Sequence, residues 1–207
     1  MCSWERKQAC EPKTWVSPSQ TWPNLQVIGL GQDDGLAYQA AWQDETGSWH
    51  SGDQFPDQTT RFSQLLSMSG IMNGEAAFQI LGLGQEDGFV YLAGWLDSSG
   101  NWHTGQLPAR GAKCSRLATA QYFPSGSIFG LGASDGLAYN VLNQDANGNW
   151  QAGAVLPCQK WFAELVVELS DSGNWQVVGR DASGLAYLAA ELKNGIWQSS
   201  GPIPNAA

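Results

Sequence analysis

The chain has 207 residues and a formal net charge of −9, with 14 % charged residues, 25 glycines and 11 tryptophans. This acidic balance lacks the basic footprint that nucleic acid requires and is repelled by an anionic membrane surface, which leaves neutral ligands and cationic partners. No run approaches the roughly 20 apolar residues of a membrane span, and the turn-rich, weakly charged composition points to an all-β fold.

Residues 1–13, MCSWERKQACEPK, hold no apolar stretch of the signal-peptide kind. They read as an N-terminal extension, and the location as cytoplasmic or secreted without a visible signal peptide. Residues 14–207 read as a single domain of four repeats, approximately 14–57, 58–109, 110–158 and 159–207.

In the first repeat, TWVSPSQTW supplies a strand and LQVIGLG a second, buried one. QDDG then makes a turn that needs a glycine at positive φ. LAYQAAW is a third strand, QDETG a turn, and SWHSG a fourth, followed by a short extended piece into Pro56. Strict alternation along LAYQAAW puts Leu36, Tyr38, Ala40 and Trp42 on one face and Ala37, Gln39 and Ala41 on the other.

The same order returns three times. RFSQLLSMSG, RLATAQYF and WFAELVVELS open the later repeats, and their inner strands are FQILGLG, SIFGLG and WQVVGR. The glycines Gly35, Gly88, Gly136 and Gly184 lie 53, 48 and 48 residues apart, each followed at a fixed offset by Tyr38, Tyr91, Tyr139 or Tyr187. Trp49, Trp102, Trp150 and Trp197 recur near the close of each copy. Sheets that are apolar on both faces must be sandwiched, and radial stacking does this. The expected fold is a four-bladed β-propeller of four antiparallel strands per blade. A β-trefoil, which needs three repeats, is the runner-up, and a homodimer completing a larger ring is an alternative.

The four cysteines, Cys2, Cys10, Cys114 and Cys158, make no CxxC pattern, and neither histidine stands at ligand spacing from one, so no metal is expected. Free buried thiols, a Cys2–Cys10 bridge and a Cys114–Cys158 bridge all remain open. GLGQDDG follows a strand but opens no helix, which removes a dinucleotide loop, and no cofactor is expected. No Ser or Cys stands at a nucleophile elbow and the carboxylates have turn or surface explanations, so no catalytic residue is assigned. Arg180, where the other repeats have Leu30, Leu83 and Leu131, reads as half of a surface or inter-blade ion pair.

Strand–turn–strand units that close on Trp and Gly, as in LQVIG, YQAAWQDETGSW and HSG, resemble the β-propeller lectins of fungi and bacteria, the Aleuria-type fucose-binding lectins in particular. That resemblance implies a non-enzymatic sugar-binding propeller with glycans or glycoconjugates as partners. Such lectins hold fucose with an Arg on one strand, a Glu on the next and a neighbouring aromatic. Here the Arg position holds Gln26, Gln79, Ser127 and Gln176, and the Glu position Gln39, Leu92, Asn140 and Leu188. Sites on this chain must therefore use other residues.

Residues common to all repeats serve the repeat, so the four recurring tryptophans read first as packing, with sugar stacking by Trp49 and Trp102 as the alternative. Positions that differ between repeats are more informative. Four residues after the Tyr stand Trp42, Trp95, Asn143 and Glu191, and just after the recurring Trp stand His50, His103, Gln151 and Gln198. The two positions switch together, as cross-strand neighbours would. An indole beside an imidazole suits a sugar, whose apolar face stacks while its hydroxyls bond. The candidate ligand-binding residues are Trp42, His50, Trp95 and His103, with Gln39, Gln26, Gln79, Trp49 and Trp102. A protein-interaction propeller with an exposed apolar patch is the other reading, and a glycoside hydrolase a more distant one.

Overall fold

Short apolar strands punctuated by Asp-Gly turns fold here into antiparallel sheets, one per repeat. The computed structural model describes residues 15–16, 25–56, 58–105, 107, 110–122, 125–199 and 201–203. The proposed extension and the Cys2–Cys10 pair lie outside them. The first sheet is β1 (Trp15–Val16), β2 (Gln26–Leu30), β3 (Ala37–Gln43) and β4 (Trp49–Ser51). The second is β5 (Phe62–Met72), β6 (Glu75–Gly84), β7 (Val90–Leu96) and β8 (Trp102–His103). The third is β9 (Cys114–Tyr122), β10 (Ser125–Gly132), β11 (Ala138–Gln144) and β12 (Trp150–Ala152). The fourth is β13 (Glu164–Leu169), β14 (Trp175–Arg180), β15 (Ala186–Lys193) and β16 (Ile196–Gln198), with β17 (Gly201–Pro202) also pairing β15. The pieces expected to run into proline extend the edge of the third strand, as the bridges Tyr38–Gln54 and Tyr139–Val155 and the pairing of β17 with Tyr187 show.

The β2–β3 turn shows why the repeat keeps Asp, Gly and Tyr. Gly35 has φ 67°, a conformation that costs any side-chain-bearing residue energy. Asp34 accepts the Leu36 N–H at 3.0 Å and the Tyr38 hydroxyl at 2.6 Å. Asp87 with Tyr91 and Asp135 with Tyr139 repeat the bond, at 2.5 and 2.8 Å. The turn glycine also stitches sheet to sheet: Phe62 N–H donates to the Gly35 carbonyl, Cys114 to Gly88 and Phe162 to Gly136, at 2.7, 2.7 and 3.0 Å. One turn thus sets both the hairpin and the seat of the next sheet.

Every second-to-third strand pair carries a β-bulge at the same place. The partners jump from Ala41 to Gln39, Gly94 to Leu92, Leu142 to Asn140 and Ala190 to Leu188, leaving Ala40, Ala93, Val141 and Ala189 unpaired. The extra residue inverts the alternation beyond it. Gln39 therefore shares a face with Trp42, as its bond to Gln26 confirms, rather than lying opposite as strict alternation predicts.

Three apolar clusters join the sheets. Ile28, Leu30 and Phe55 pack with Phe62, Phe78 and Ile80 between the first and second. Leu81, Leu83 and Leu92 pack with Ile128, Val141 and Trp150 between the second and third. Phe129, Leu131 and Phe162 pack with Val177, Ala189 and Ala190 between the third and fourth. Each fully buried Phe or Leu contributes roughly 1.5–3 kcal/mol. Packed strand pairs link neighbouring sheets in chain order and none links the fourth to the first, so among the described residues the sheets form an open row rather than a closed ring.

The openness explains both ends. Leu30, Leu83 and Leu131 are at most 4 % exposed beneath the following sheet, whereas Arg180 at the same position is exposed and paired with Glu164 on its own sheet. A terminal repeat needs polar groups on its outer face, and here the charged pair shares that face with the exposed Val166. The ion pair is thus a surface one, while the adjacent Asp181 pairs with Lys160 instead. Cys114 is free and buried and Cys158 is free, so the Cys114–Cys158 bridge does not form. Burial pushes the Cys114 thiol up to about 12.

Candidate functional site

The strand registers set the variable residues in rows across each sheet. Gln26 faces Trp42 and Trp42 faces His50 in the first; Gln79, Trp95 and His103 follow in the second. The third row is Ser127, Asn143 and Gln151, and the fourth is Gln176, Glu191 and Gln198. The bulge adds Gln39, Leu92, Asn140 and Leu188 to the same face. The cross-strand neighbourhood expected from the joint switching is therefore present in every sheet.

In the first two rows the rings stack. Trp42 and His50 lie with centroids 4.5 Å apart and planes at 23°, and Trp95 and His103 at 4.4 Å and 23°. Each imidazole Nε2 meets a carboxylate, Asp44 at 2.6 Å or Asp97 at 2.7 Å. The same aspartates build the hairpin turns. Asp44 accepts N–H bonds from Thr46 and Ser48, and Asp97 from Ser99 and Asn101. The bond to His50, ahead of those from Thr46 and Ser48, holds the Asp44 carboxyl well below the usual carboxylate range. His103 and then the Asn101 N–H bring Asp97 down to about 2. The sequence explains these aspartates by the turns alone. The signal for their second role is the six-residue interval from Asp to His in both copies, although Asp145 stands in the third copy without a histidine.

The third and fourth rows are amide and carboxylate clusters. Asn143 Oδ1 accepts from the Ser127 hydroxyl and from Asn140 Nδ2, both at 2.8 Å. Glu191 is paired with Lys193 at 2.8 Å and accepts from Asn174 at 3.2 Å, and the Lys193 bond is the main force holding its carboxyl below the usual range.

The remaining candidates take different places. Gln26 is nearly buried and accepts a bond from Gln39 Nε2 at 2.9 Å, beside Trp42. Gln79 is fully buried and donates to Gln144 of the third sheet at 3.3 Å, which makes it part of an inter-sheet contact. Trp102 packs on Phe55 at 4.3 Å and on Phe78 at 6.2 Å, between sheets. Trp150 is 7 % exposed in the next interface and Trp197 meets Phe129 edge-on at 5.4 Å. Trp49, whose face has no preceding sheet among the described residues, is 53 % exposed. No three His, Cys, Asp or Glu side chains gather into a metal-holding group among the described residues, and no helix there is long and apolar enough to cross a membrane.

No protein-family profile and no curated protein matches the sequence. Among solved structures, the fold is similar to AofleA from Arthrobotrys oligospora, with TM-score 0.63 and 13 % identity over 92 % of this chain and 56 % of that one. It is also similar to a variant of Aleuria aurantia lectin in complex with Fucα1-6GlcNAc, with TM-score 0.56 and 11 % identity over 93 % of this chain and 62 % of that one. The likeness is one of fold, to propeller lectins as the repeat pattern suggested, and the chain spans about three-fifths of the length of these structures.

Proposed function

We propose that this chain is a non-enzymatic carbohydrate-binding protein, a lectin of four blade-like sheets whose binding groups are the Trp42–His50–Asp44 and Trp95–His103–Asp97 units. The observation that carries the reading is the repetition of one stacked, carboxylate-held ring pair at equivalent positions of two sheets. The carboxylate on Nε2 selects the Nε2–H tautomer, which leaves Nδ1 as an acceptor for a sugar hydroxyl. Because the imidazole covers one face of the indole, the ligand meets the outer face of the imidazole and the rim of the indole. Both histidine side chains are more than two-fifths exposed, which suits shallow sites. Weak sites repeated on one rigid scaffold gain avidity on clustered glycans. Binding each carboxylate to an imidazole orients a ring, and does not make the acid and nucleophile pair of glycoside hydrolysis.

The test is a glycan array with Trp42→Ala and Trp95→Ala combined. Binding should be lost while the circular dichroism spectrum is retained, and unchanged binding would remove the site. A second reading, a protein-interaction scaffold that can pair with a second copy, has in its favour the exposed Trp49 and, across Gln43, the exposed Leu25. An empty array together with self-association lost in Trp49→Ser would favour it.

A further inference from the structure

The Tyr of the repeat is treated differently in the second and fourth sheets. In the fourth, Lys160 Nζ lies 3.8 Å from the centre of the Tyr187 ring, donates to the Tyr187 hydroxyl at 2.5 Å and pairs with Asp181 at 3.2 Å. The lysine comes from the connector between the third and fourth sheets. It stands two residues before Phe162, whose N–H bonds the preceding turn glycine.

The second sheet has the same frame with the lysine missing. Phe62 makes the equivalent bond to Gly35, and its ring stands 6.3 Å and 60° from Tyr91, against 6.1 Å and 57° for Phe162 and Tyr187. Two residues before Phe62 is Thr60. Where Lys160 would run there is a cleft of about 190 Å³, lined by Thr59, Thr60, Arg61, Glu86, Asp87 and Tyr91 among others. Its two carboxylates outnumber its one guanidinium. Among the described residues neither threonine hydroxyl has a hydrogen bond. In the third sheet the connector packs tightly: a Cβ on Gly111 would stand 2.4 Å from the Val141 carbonyl oxygen.

We propose that the cleft beside Tyr91 binds a primary ammonium group on a slim alkyl stem, as a lysine side chain of a partner protein presents it, and that Lys160 shows the same contact made within the chain. The ammonium sits over the Tyr91 ring, attracted by the ring's negative face and by Asp87 and Glu86, with the threonine hydroxyls along the stem. A net-negative protein draws such partners electrostatically. The cleft includes none of Trp42, His50, Trp95 or His103, so its test is separate from that of the sugar reading.

The experiment is an NMR titration of the full chain with Nα-acetyl-lysine methylamide, with the norleucine analogue and with glucosamine. The lysine compound should give saturable shifts at Thr60, Gln85 and Tyr91, and the other two should not. Thr60→Lys, which installs the fourth sheet's arrangement, should weaken these shifts by about tenfold or more. Lys160→Ala should open a second site, seen as new shifts at Tyr187. Absence of saturable shifts in the unaltered protein overturns the proposal, as does an equal response to norleucine. An equal response to glucosamine overturns the slim-stem requirement, and undiminished binding by folded Thr60→Lys overturns the placement.

Discussion

The first two sheets and the last two are built on one plan, with the same bulge and with sheet-to-sheet stitching through a turn glycine. Across that common frame run rows that differ: Gln, Trp and His in the first pair, and Ser or Gln, Asn or Glu, and Gln in the second. The recurring tryptophans show the converse, one residue type in four positions with unequal burial, from 7 % exposed at Trp150 to 53 % at Trp49. Recurrence therefore marks what each sheet needs in order to pack. Departure from recurrence marks where the sheets are free to do something else.

The largest effect should come from breaking the shared part. Trp150→Ala removes an indole from the interface between the second and third sheets and should cost about 3–5 kcal/mol in urea unfolding, whereas Trp49→Ala, at a half-exposed site, should cost under about 1 kcal/mol. Equal costs would mean that Trp49 is covered in solution. The next effect belongs to the rows. His50→Gln with His103→Gln gives the first two sheets the third sheet's residue and should weaken glycan binding by about tenfold, one good hydrogen-bonding group per site, with stability nearly unchanged. Retained affinity would assign the sites to the indoles alone.

The smallest effect is one of pH. The folded-state pKa of Asp97 is about 2, below its usual value of about 3.9, so its bonds stabilise the fold above that usual value and the contribution fades as pH falls through the folded one. The same sign holds for Asp44, whose carboxyl is also depressed. Stability measured from pH about 4 down to about 2 should therefore drop, and Asp97→Asn should flatten part of that drop. An unchanged slope in the variant would show that the His103 bond does not persist in solution.

Much of the frame was legible because glycine, tyrosine and tryptophan recur at nearly constant intervals, and each has a steric or packing reason to do so. The bulge was not, since its extra residue is Ala40, Ala93, Val141 or Ala189, small apolar side chains that suit a regular strand equally well. It moved Gln39 onto the Trp42 face. The Trp and His pairing was legible through residues that change together. The aspartates behind the histidines were hidden, because Asp44, Asp97 and Asp145 are constant for the sake of the turn. The openness of the row left only one trace, Arg180 among leucines, because the repeat count says nothing about the angle between successive sheets. The burial of Gln79 depends on Gln144, 65 residues away, a contact no local pattern announces.

The two outer faces of the row also differ in kind, an indole at one end and, at the other, the Arg180–Glu164 pair beside the exposed Val166. Were copies to stack end to end, each joint would press Trp49 against that ion pair and strip it of water, a cost set against the apolar burial gained. Head-to-tail joints of this type are the ones that propagate into fibres. Charge at one terminus thus acts as punctuation: it lets sheets add one upon another inside the chain and discourages the next molecule from continuing the series.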